Sequence, residues 1–392
     1  MSSKTGRGMH PMPDLLPLSG LLSKLLIAFT IELDNEFEHQ MPHRTTSFGS
    51  SAQAMRTAWL GSFVLWANAM RLVPEEGISA AELERQARTN KLQLPGLERW
   101  GYITMAPVRA EPRKKIPERD WLVRPTKIGR RAQEVWKPLP GVIEDRWKDR
   151  FGSEEIGSLR MSLSAVLSKI DLAMPEYLPI LGYGLFSDIL LDEDSSKGSL
   201  GCNAVVKTHL IALLAKVLLA FTIEFEFDWK ISLPTSANGL RLLSDKPTRI
   251  ADLPRLSGIS KEGVAFITGW LTRGGLAAIE ADATRKGKVI RLTPAGLKAR
   301  QACLQRLELT ESRWRERFGD EAMAGLRESL LKFLKKSEDH RSLLAKALVP
   351  YPDGWRARRP YLTQTTAFVD DPVRSLPHQP MVLHRGGYPD GS

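Results

Sequence analysis

The amino-acid sequence predicts a mainly α-helical protein with two small β-hairpins, built as a tandem duplication of one unit. The octapeptide LLIAFTIE at 25–32 returns as VLLAFTIE at 217–224. Further along, WKDRFG at 147–152 returns as WRERFG at 314–319, so the same motifs recur in the same order. The third observation is the stretch 259–300, whose hydrophobic period changes from helical to alternating and back. Such a stretch is expected to form a helix, a hairpin and a second helix.

In the second copy, the pattern predicts two short helices followed by the hairpin. Thr248 is placed to cap the first helix, and Ser260 to cap a second helix whose apolar stripe runs to Gly274-Gly275. Residues 276–281 and 289–292 have the composition of short strands, and the residues between them are polar and basic. The hairpin is therefore expected to carry a cationic tip.

This order of elements is that of a helix-turn-helix followed by a wing, a module that places its second helix in the DNA major groove. It resembles the MarR family of winged-helix regulators. The residues that carry the resemblance are Leu253, Leu256-Ser257-Gly258-Ile259-Ser260, Leu271-Thr272-Arg273-Gly274-Gly275-Leu276 and Val289-Ile290-Arg291-Leu292-Thr293-Pro294-Ala295-Gly296. The resemblance implies a DNA-binding regulator that dimerises through its terminal helices. The family's wing usually has an Asp-x-Arg before its second strand, whereas here Asp282 is displaced and Lys286 or Arg285 serves at the tip.

The first copy has the same elements in a more divergent form. Matching residues of the two copies are 192 positions apart before the hairpin and 167 positions apart after it. The first copy therefore holds 25 extra residues ahead of its second hairpin strand. We assign these to a longer helix at 54–73 and an expanded basic wing at 106–119. The two motif helices are 78–87 and 90–100, and Pro95 is expected to delay or kink the second. Two closing helices are expected in each copy, at 129–151 and 154–170 and at 295–318 and 320–336.

These assignments divide the chain into five parts. They are a flexible N-terminal arm at 1–18, a divergent winged-helix domain at 19–170, a linker at 171–206, a second winged-helix domain at 207–348 and a Pro/Gly-rich tail at 349–392. The repeated octapeptides are more apolar than a lone winged-helix core would bury, so their helices are expected to pack on each other. The chain is then a monomeric pseudo-dimer, whereas exchange of these helices between chains would give a homodimer.

Charge and cysteine content set the expected partners and compartment. A formal net charge of +11 favours a polyanion, and we expect double-stranded DNA, with a small-molecule effector as an open alternative. Cys202 and Cys303 are far apart and outside any Cys-x-x-Cys, which fits a reducing cytoplasm. The most apolar run, 210–223, contains Lys216 and is too short to span a bilayer. We therefore predict a cytoplasmic protein without a membrane partner.

Candidate DNA-binding residues lie on the polar side of each second motif helix and on the wings. In the second copy they are Ser260, Lys261, Thr268, Arg273, Arg285, Lys286 and Lys288. In the first copy they are Asn90, Lys91, Gln93, Arg99, Arg113, Lys114 and Lys115. Asn and Gln can pair bidentately with adenine and Lys can bind guanine, whereas wing cations suit phosphates. The alternative is an ordinary solvated helix face, and Arg99 and Arg273 could equally stabilise the ends of their helices.

The sequence contains no recognisable motif for catalysis or metal binding. The stretch 201–208 lacks the glycine that precedes the lysine of a phosphate-binding loop. The seven histidines do not have zincin spacing, and there is no Gly-x-Ser-x-Gly. Glu224, Glu226 and Asp228 alternate with aromatic residues, which we interpret as a solvated face beside a packed one. No cofactor, metal or enzymatic activity is predicted.

The function predicted is a sequence-specific transcriptional regulator that reads the major groove with two recognition helices and contacts the DNA backbone or minor groove with basic wings. The alternative is a winged-helix protein-interaction scaffold with weak or no DNA binding, which Pro95 and the irregular first wing favour for the first copy. A third class is an enzyme, such as a nuclease accessory that holds its substrate on the wings. The absence of a paired-carboxylate or metal motif argues against that class.

Overall fold

The computed structural model describes residues 16–41, 63–88, 92, 94–107, 117–172, 174–177, 208–257 and 261–336. These residues are mainly helical, with two small antiparallel sheets. The helices of the first copy are α1 (Leu18–Gln40), α2 (Phe63–Asn68), α3 (Ala80–Ala87), α4 (Leu94–Arg99), α5 (Lys127–Trp136), α6 (Leu139–Phe151) and α7 (Ser153–Leu167). Those of the second copy are α8 (Leu210–Glu226), α9 (Leu233–Asn238), α10 (Leu253–Ser257), α11 (Lys261–Arg273), α12 (Pro294–Phe318) and α13 (Asp320–Lys336). None of the described helices is both long and apolar enough to cross a membrane.

Each copy contains one three-stranded antiparallel sheet. The strands are β1 (Ile78–Ser79), β2 (Ile103–Pro107) and β3 (Trp121–Pro125) in the first copy and β4 (Thr248–Arg249), β5 (Ala277–Ala281) and β6 (Lys288–Leu292) in the second. The last strand of each copy lies in the centre, which gives the orders β1-β3-β2 and β4-β6-β5. In the second hairpin Ala277 pairs with Leu292 and Ala281 with Lys288. The predicted hairpin is therefore confirmed, with its tip formed by residues 282–287.

Four predicted helices differ from the structure. Within the described part of the predicted helix 54–73, the α-helix ends at Asn68 and a 3₁₀ turn follows at Met70–Leu72. Thr248 does not cap a helix, because it lies in β4 and pairs with Ile290 of the central strand. The predicted helix 78–87 likewise begins as β1, and Ser79 then caps α3 by accepting a hydrogen bond from the Glu82 amide. The predicted helix 129–151 is divided into α5 and α6 at Pro138, since proline lacks the amide hydrogen that would continue the helix.

The same helix cap attaches the hairpin to the following helix in both copies. Thr293 accepts a hydrogen bond from the Gly296 amide at the start of α12, as Thr126 does from Gly129 at the start of α5. A Cβ atom at Gly296 would lie 1.8 Å from the carbonyl oxygen of Leu276, so only glycine permits this close approach. The hairpin and the long helix are thereby held in fixed contact.

The long helices of the two copies form one bundle. α1 packs against α8, and α7 packs against α13, so each helix contacts its own counterpart. α1 also packs against α13, and α8 packs reciprocally against α7. The two repeated apolar helices contact each other in this single chain, and whether they pair in this way in solution stays a prediction. Reciprocal contacts of this kind are what an approximate two-fold relation between two equivalent units produces.

Hydrogen bonds across the bundle show the same reciprocity. The Leu18 amide at the start of α1 donates to Glu311 in α12 at 2.9 Å, and the equivalent Leu210 amide donates to Glu144 in α6 at 2.9 Å. A second pair links the arginines of the last helices to the same termini. Arg327 donates to the Leu16 carbonyl at 2.7 Å, and Arg160 to the Thr208 carbonyl at 2.8 Å. Each copy therefore caps the N-terminal helix of the other.

The acidic positions at the end of α8 correct one sequence interpretation. Glu224 accepts a hydrogen bond from the indole of Trp314 at 2.8 Å, and Glu226 accepts one from the Leu233 amide at the start of α9. Burial raises the pKa of Glu226 to about 9. Phe227, expected to pack, is 87% exposed. The solvated-face interpretation is wrong for the two glutamates, because the segment is helical and their side chains tie α8 to its own copy.

Candidate nucleic-acid interface

The second motif helix of the second copy, α11, is held against the rest of its unit by one apolar face. Val264, Ile267 and Leu271 are buried, and the spacing of these residues is that of one side of an α-helix. Gly239 leaves room for the Ile267 side chain, because a Cβ atom added at Gly239 would lie only 2.3 Å from that side chain. The opposite face, including Lys261, is exposed. Packing thus determines which side of α11 can meet a ligand.

The candidates on α11 have different positions. Lys261 is exposed at the first residue of the helix, and Arg273 is exposed at the last. The Arg273 guanidinium lies back over Gly269, and a Cβ atom added at Gly269 would be 3.1 Å from a guanidinium nitrogen. This position is near the negative end of the helix dipole. Ser260 lies outside the described residues.

Thr268 is not on the polar side of α11, and the prediction that it could read bases is wrong. Its side chain is 5% exposed, and its hydroxyl donates to the Val264 carbonyl at 2.8 Å. A threonine hydroxyl can be satisfied inside a helix by the carbonyl four residues earlier, which allows it to face the core. Thr268 therefore belongs to the packed face of the helix.

The tip of the second hairpin is built around Asp282. Its carboxylate accepts hydrogen bonds from the Thr284 amide at 2.9 Å, the Thr284 hydroxyl at 2.7 Å and the Arg285 amide at 3.3 Å. Arg249 of β4 lies 3.1 Å from the same carboxylate. The hydrogen bonds from Thr284, followed by those from Arg285 and the charge of Arg249, lower the pKa of Asp282. The displaced aspartate thus anchors the turn, a role that sequence analysis did not assign to it.

Three cations project from this ordered tip and from the start of β6 directly after it. Arg285, Lys286 and Lys288 are all exposed, and none has a carboxylate partner among the residues that the structure describes. Arg291 differs from them, because it forms an ion pair with Glu280 of the adjacent strand at 2.7 Å. Because Asp282 already orders the turn, binding of a ligand to these three cations would cost little further backbone entropy. An extended anion such as a phosphate backbone suits such an arrangement.

Only part of the corresponding surface of the first copy lies within the described residues. The second motif helix, α4, begins at Leu94, so the expected late start at Pro95 is confirmed. Arg99 is exposed at its end, with the guanidinium 5.8 Å from the Trp100 ring centroid. Six further candidates lie outside the described residues, and these are Asn90, Lys91, Gln93, Arg113, Lys114 and Lys115.

Titratable groups in the rest of the described chain are structural. Glu32 of α1 accepts hydrogen bonds from Trp147 at 3.1 Å and Arg150 at 2.6 Å, which matches the Glu224–Trp314 contact of the second copy. Lys24 and Lys216, at equivalent positions in α1 and α8, are desolvated, and burial lowers the pKa of Lys24 to about 8. Within the described ranges no three His, Cys, Asp or Glu side chains converge to hold a metal ion.

No protein-family model, curated protein or solved structure matches the chain. A functional assignment therefore depends on the geometry and charge of the molecule itself.

Proposed function

We propose that this protein binds double-stranded DNA as a transcriptional regulator, through two winged helix-turn-helix units of which the second is the better formed. The observation that carries the proposal is the ordered hairpin tip with its three exposed cations, Arg285, Lys286 and Lys288, on a unit whose helix α11 presents Lys261. α11 packs against β5, the strand that leads to the tip, so the helix and the hairpin belong to one packed unit. A helix for the major groove and a basic hairpin for the backbone are the parts of such a module.

The order of elements in each copy supports this proposal. A short helix and strand are followed by two helices and a hairpin, and the first strand joins the hairpin in a three-stranded sheet. The net charge of +11 supplies the long-range attraction that a polyanion requires. In our proposal Arg285, Lys286 and Lys288 bind phosphates, and Lys261 lies at the base edges.

The first copy favours a different balance between DNA and protein contacts. α4 is only six residues long, and Glu98 within it is bound to the Met105 amide of β2 at 2.8 Å. A helix of six residues offers fewer positions for base contacts than the 13 residues of α11. These observations support the scaffold alternative for the first copy, so we assign sequence reading mainly to the second.

The test measures affinity of the full chain for labelled duplexes of about 30 base pairs by fluorescence anisotropy, over a range of salt concentrations. The logarithm of the binding constant should fall linearly with that of the salt concentration, by about 0.9 for each phosphate neutralised. A salt-independent affinity would refute DNA binding by these cations. A complete lack of affinity would favour the scaffold. Capture of bound DNA from the parent cell would then identify the operator.

A further inference from the structure

The segment that follows the first copy is bound to that copy at Arg71. The Arg71 guanidinium forms an ion pair with Glu176 at 2.8 Å and lies 5.1 Å from the ring centroid of Tyr177. Tyr177 is 5% exposed, and its ring contacts Phe63 edge-on and Trp66 at a tilt. A carboxylate and an aromatic ring from the chain itself thus satisfy one partly buried arginine.

Arg241 occupies the position of Arg71 in the second copy. The sequences Ala67-Asn68-Ala69-Met70-Arg71-Leu72 and Ala237-Asn238-Gly239-Leu240-Arg241-Leu242 align without a gap. Both arginines donate from Nε to the carbonyl four residues earlier, Arg71 at 2.6 Å and Arg241 at 2.9 Å. Among the described residues, however, no carboxylate pairs with Arg241.

Instead, Arg241 lines an open cleft of about 450 Å³ between the two copies. The other residues that line it are Leu16, Pro17, Leu304, Leu307, Glu308, Glu311, Arg315 and Arg327. Two of its charges are engaged, because Glu311 caps α1 and Arg327 binds the Leu16 carbonyl. Burial lowers the pKa of Arg241. A partly buried guanidinium without a counter-ion is costly, so the cleft suits a carboxylate next to an apolar group.

We propose that the chain's own segment Pro350-Tyr351-Pro352-Asp353 docks in this cleft, with the Asp353 carboxylate on Arg241, as Glu176 and Tyr177 dock on Arg71. The segment combines proline, tyrosine and an acid, as Pro175-Glu176-Tyr177 does. The walls of the two sites differ, because Leu233 and Ser236 stand where the first copy has Phe63 and Trp66. In our proposal the ring of Tyr351 lies instead against Leu304 and Leu307. The docking is independent of the proposed DNA binding.

Chain length permits this placement. Tyr177 lies ten residues beyond Leu167, the last residue of α7, and Tyr351 lies fifteen residues beyond Lys336, the last residue of α13. Fifteen residues can span up to about 50 Å. The connection in the second copy is therefore longer than one that already reaches the equivalent site in the first. A second Tyr-Pro-Asp-Gly sequence, at 388–391, is 37 residues further along and serves as a matched control.

The experiment places the photo-reactive residue p-benzoylphenylalanine at Tyr351 of the full chain and maps its crosslinks by mass spectrometry. We expect crosslinks to the α12 peptide that contains Leu304 and Leu307 or to the peptide that contains Leu16. The same residue at Tyr388 should give none there. Asp353→Asn should remove most of the crosslink without altering any part of the cleft, whereas Asp390→Asn should leave it unchanged. Arg241→Ala should also remove it, with circular dichroism confirming that the variant is folded.

Four results would overturn the proposal. The first is a crosslink from Tyr351 to another surface, or none at all. The second is a cleft crosslink from Tyr388 in preference to Tyr351. The third is a crosslink that joins two chains, which mixtures of ¹⁴N- and ¹⁵N-labelled protein would reveal. An unchanged yield in both Asp353→Asn and Arg241→Ala would likewise exclude the ion pair.

Discussion

Replacing the three cations of the second hairpin tip is the sharpest test of the proposed DNA contact. Arg285, Lys286 and Lys288 are exposed, and Asp282 orders the turn without using their side chains. Changing all three to alanine should therefore leave the fold intact. Because phosphate contacts position the protein without reading sequence, affinity should fall to a similar degree on every duplex.

The size of the effect follows from counting one phosphate for each cation. Loss of three contacts should flatten the slope of log affinity against log salt by about 2.7. Between 50 and 200 mM salt, the affinity of the unaltered protein should then fall about 40-fold more than that of the variant. The difference between the two proteins should consequently be largest at low salt and shrink as salt rises.

Fluorescence anisotropy with one specific and one unrelated duplex measures both slopes. A control variant, in which the exposed Lys137, Arg313 and Lys332 become alanine, loses the same charge from helices and a helix junction outside the hairpin. The control should keep a slope close to that of the unaltered protein. Equal slopes for all three proteins, or an equal change in both variants, would show that the hairpin tip is not a contact element.

Three other predictions concern the fold. Gly296→Ala should reduce the free energy of unfolding by about 1–3 kcal/mol in urea titrations, because the new methyl group would overlap the Leu276 carbonyl. The control, Gly325→Ala in α13, has open space around it and should be neutral or stabilising by up to about 1 kcal/mol. Equal effects would contradict the close approach. The raised pKa of Glu226 means that the folded state holds a proton that the unfolded state loses, so stability should decline as pH rises from about 4.5 to about 9. Glu226→Gln should flatten that decline by up to about 1.4 kcal/mol per pH unit, and the exposed Glu316→Gln should not. Light scattering should give the mass of one chain, 43.8 kDa, because the repeated helices pair within the chain. A two-chain mass that is independent of concentration would show that they pair between chains.

The sequence alone determined the duplication, the positions of most elements and the cationic hairpin. The repeated phrases and the switch of hydrophobic period depend on neighbouring residues, and such local patterns directly reflect the geometry of helices and strands. The glycine and proline signals also held, as Pro95 and the start of α4 show. Thr268 was misassigned because a hydroxyl counts as polar in any pattern, although a helix can satisfy it internally through the Val264 carbonyl.

The tertiary structure alone decided how the copies meet. The hydrogen bond from Leu18 in the first copy to Glu311 in the second joins residues 293 positions apart. Its counterpart runs from Leu210 in the second copy to Glu144 in the first. No local pattern encodes such a pair, because each glutamate has the sequence context of an ordinary solvated helix face. The same holds for Arg71 and Arg241, which have nearly identical neighbours in sequence. Only the packing of distant segments gives one of them a carboxylate at 2.8 Å and leaves the other facing an open cleft.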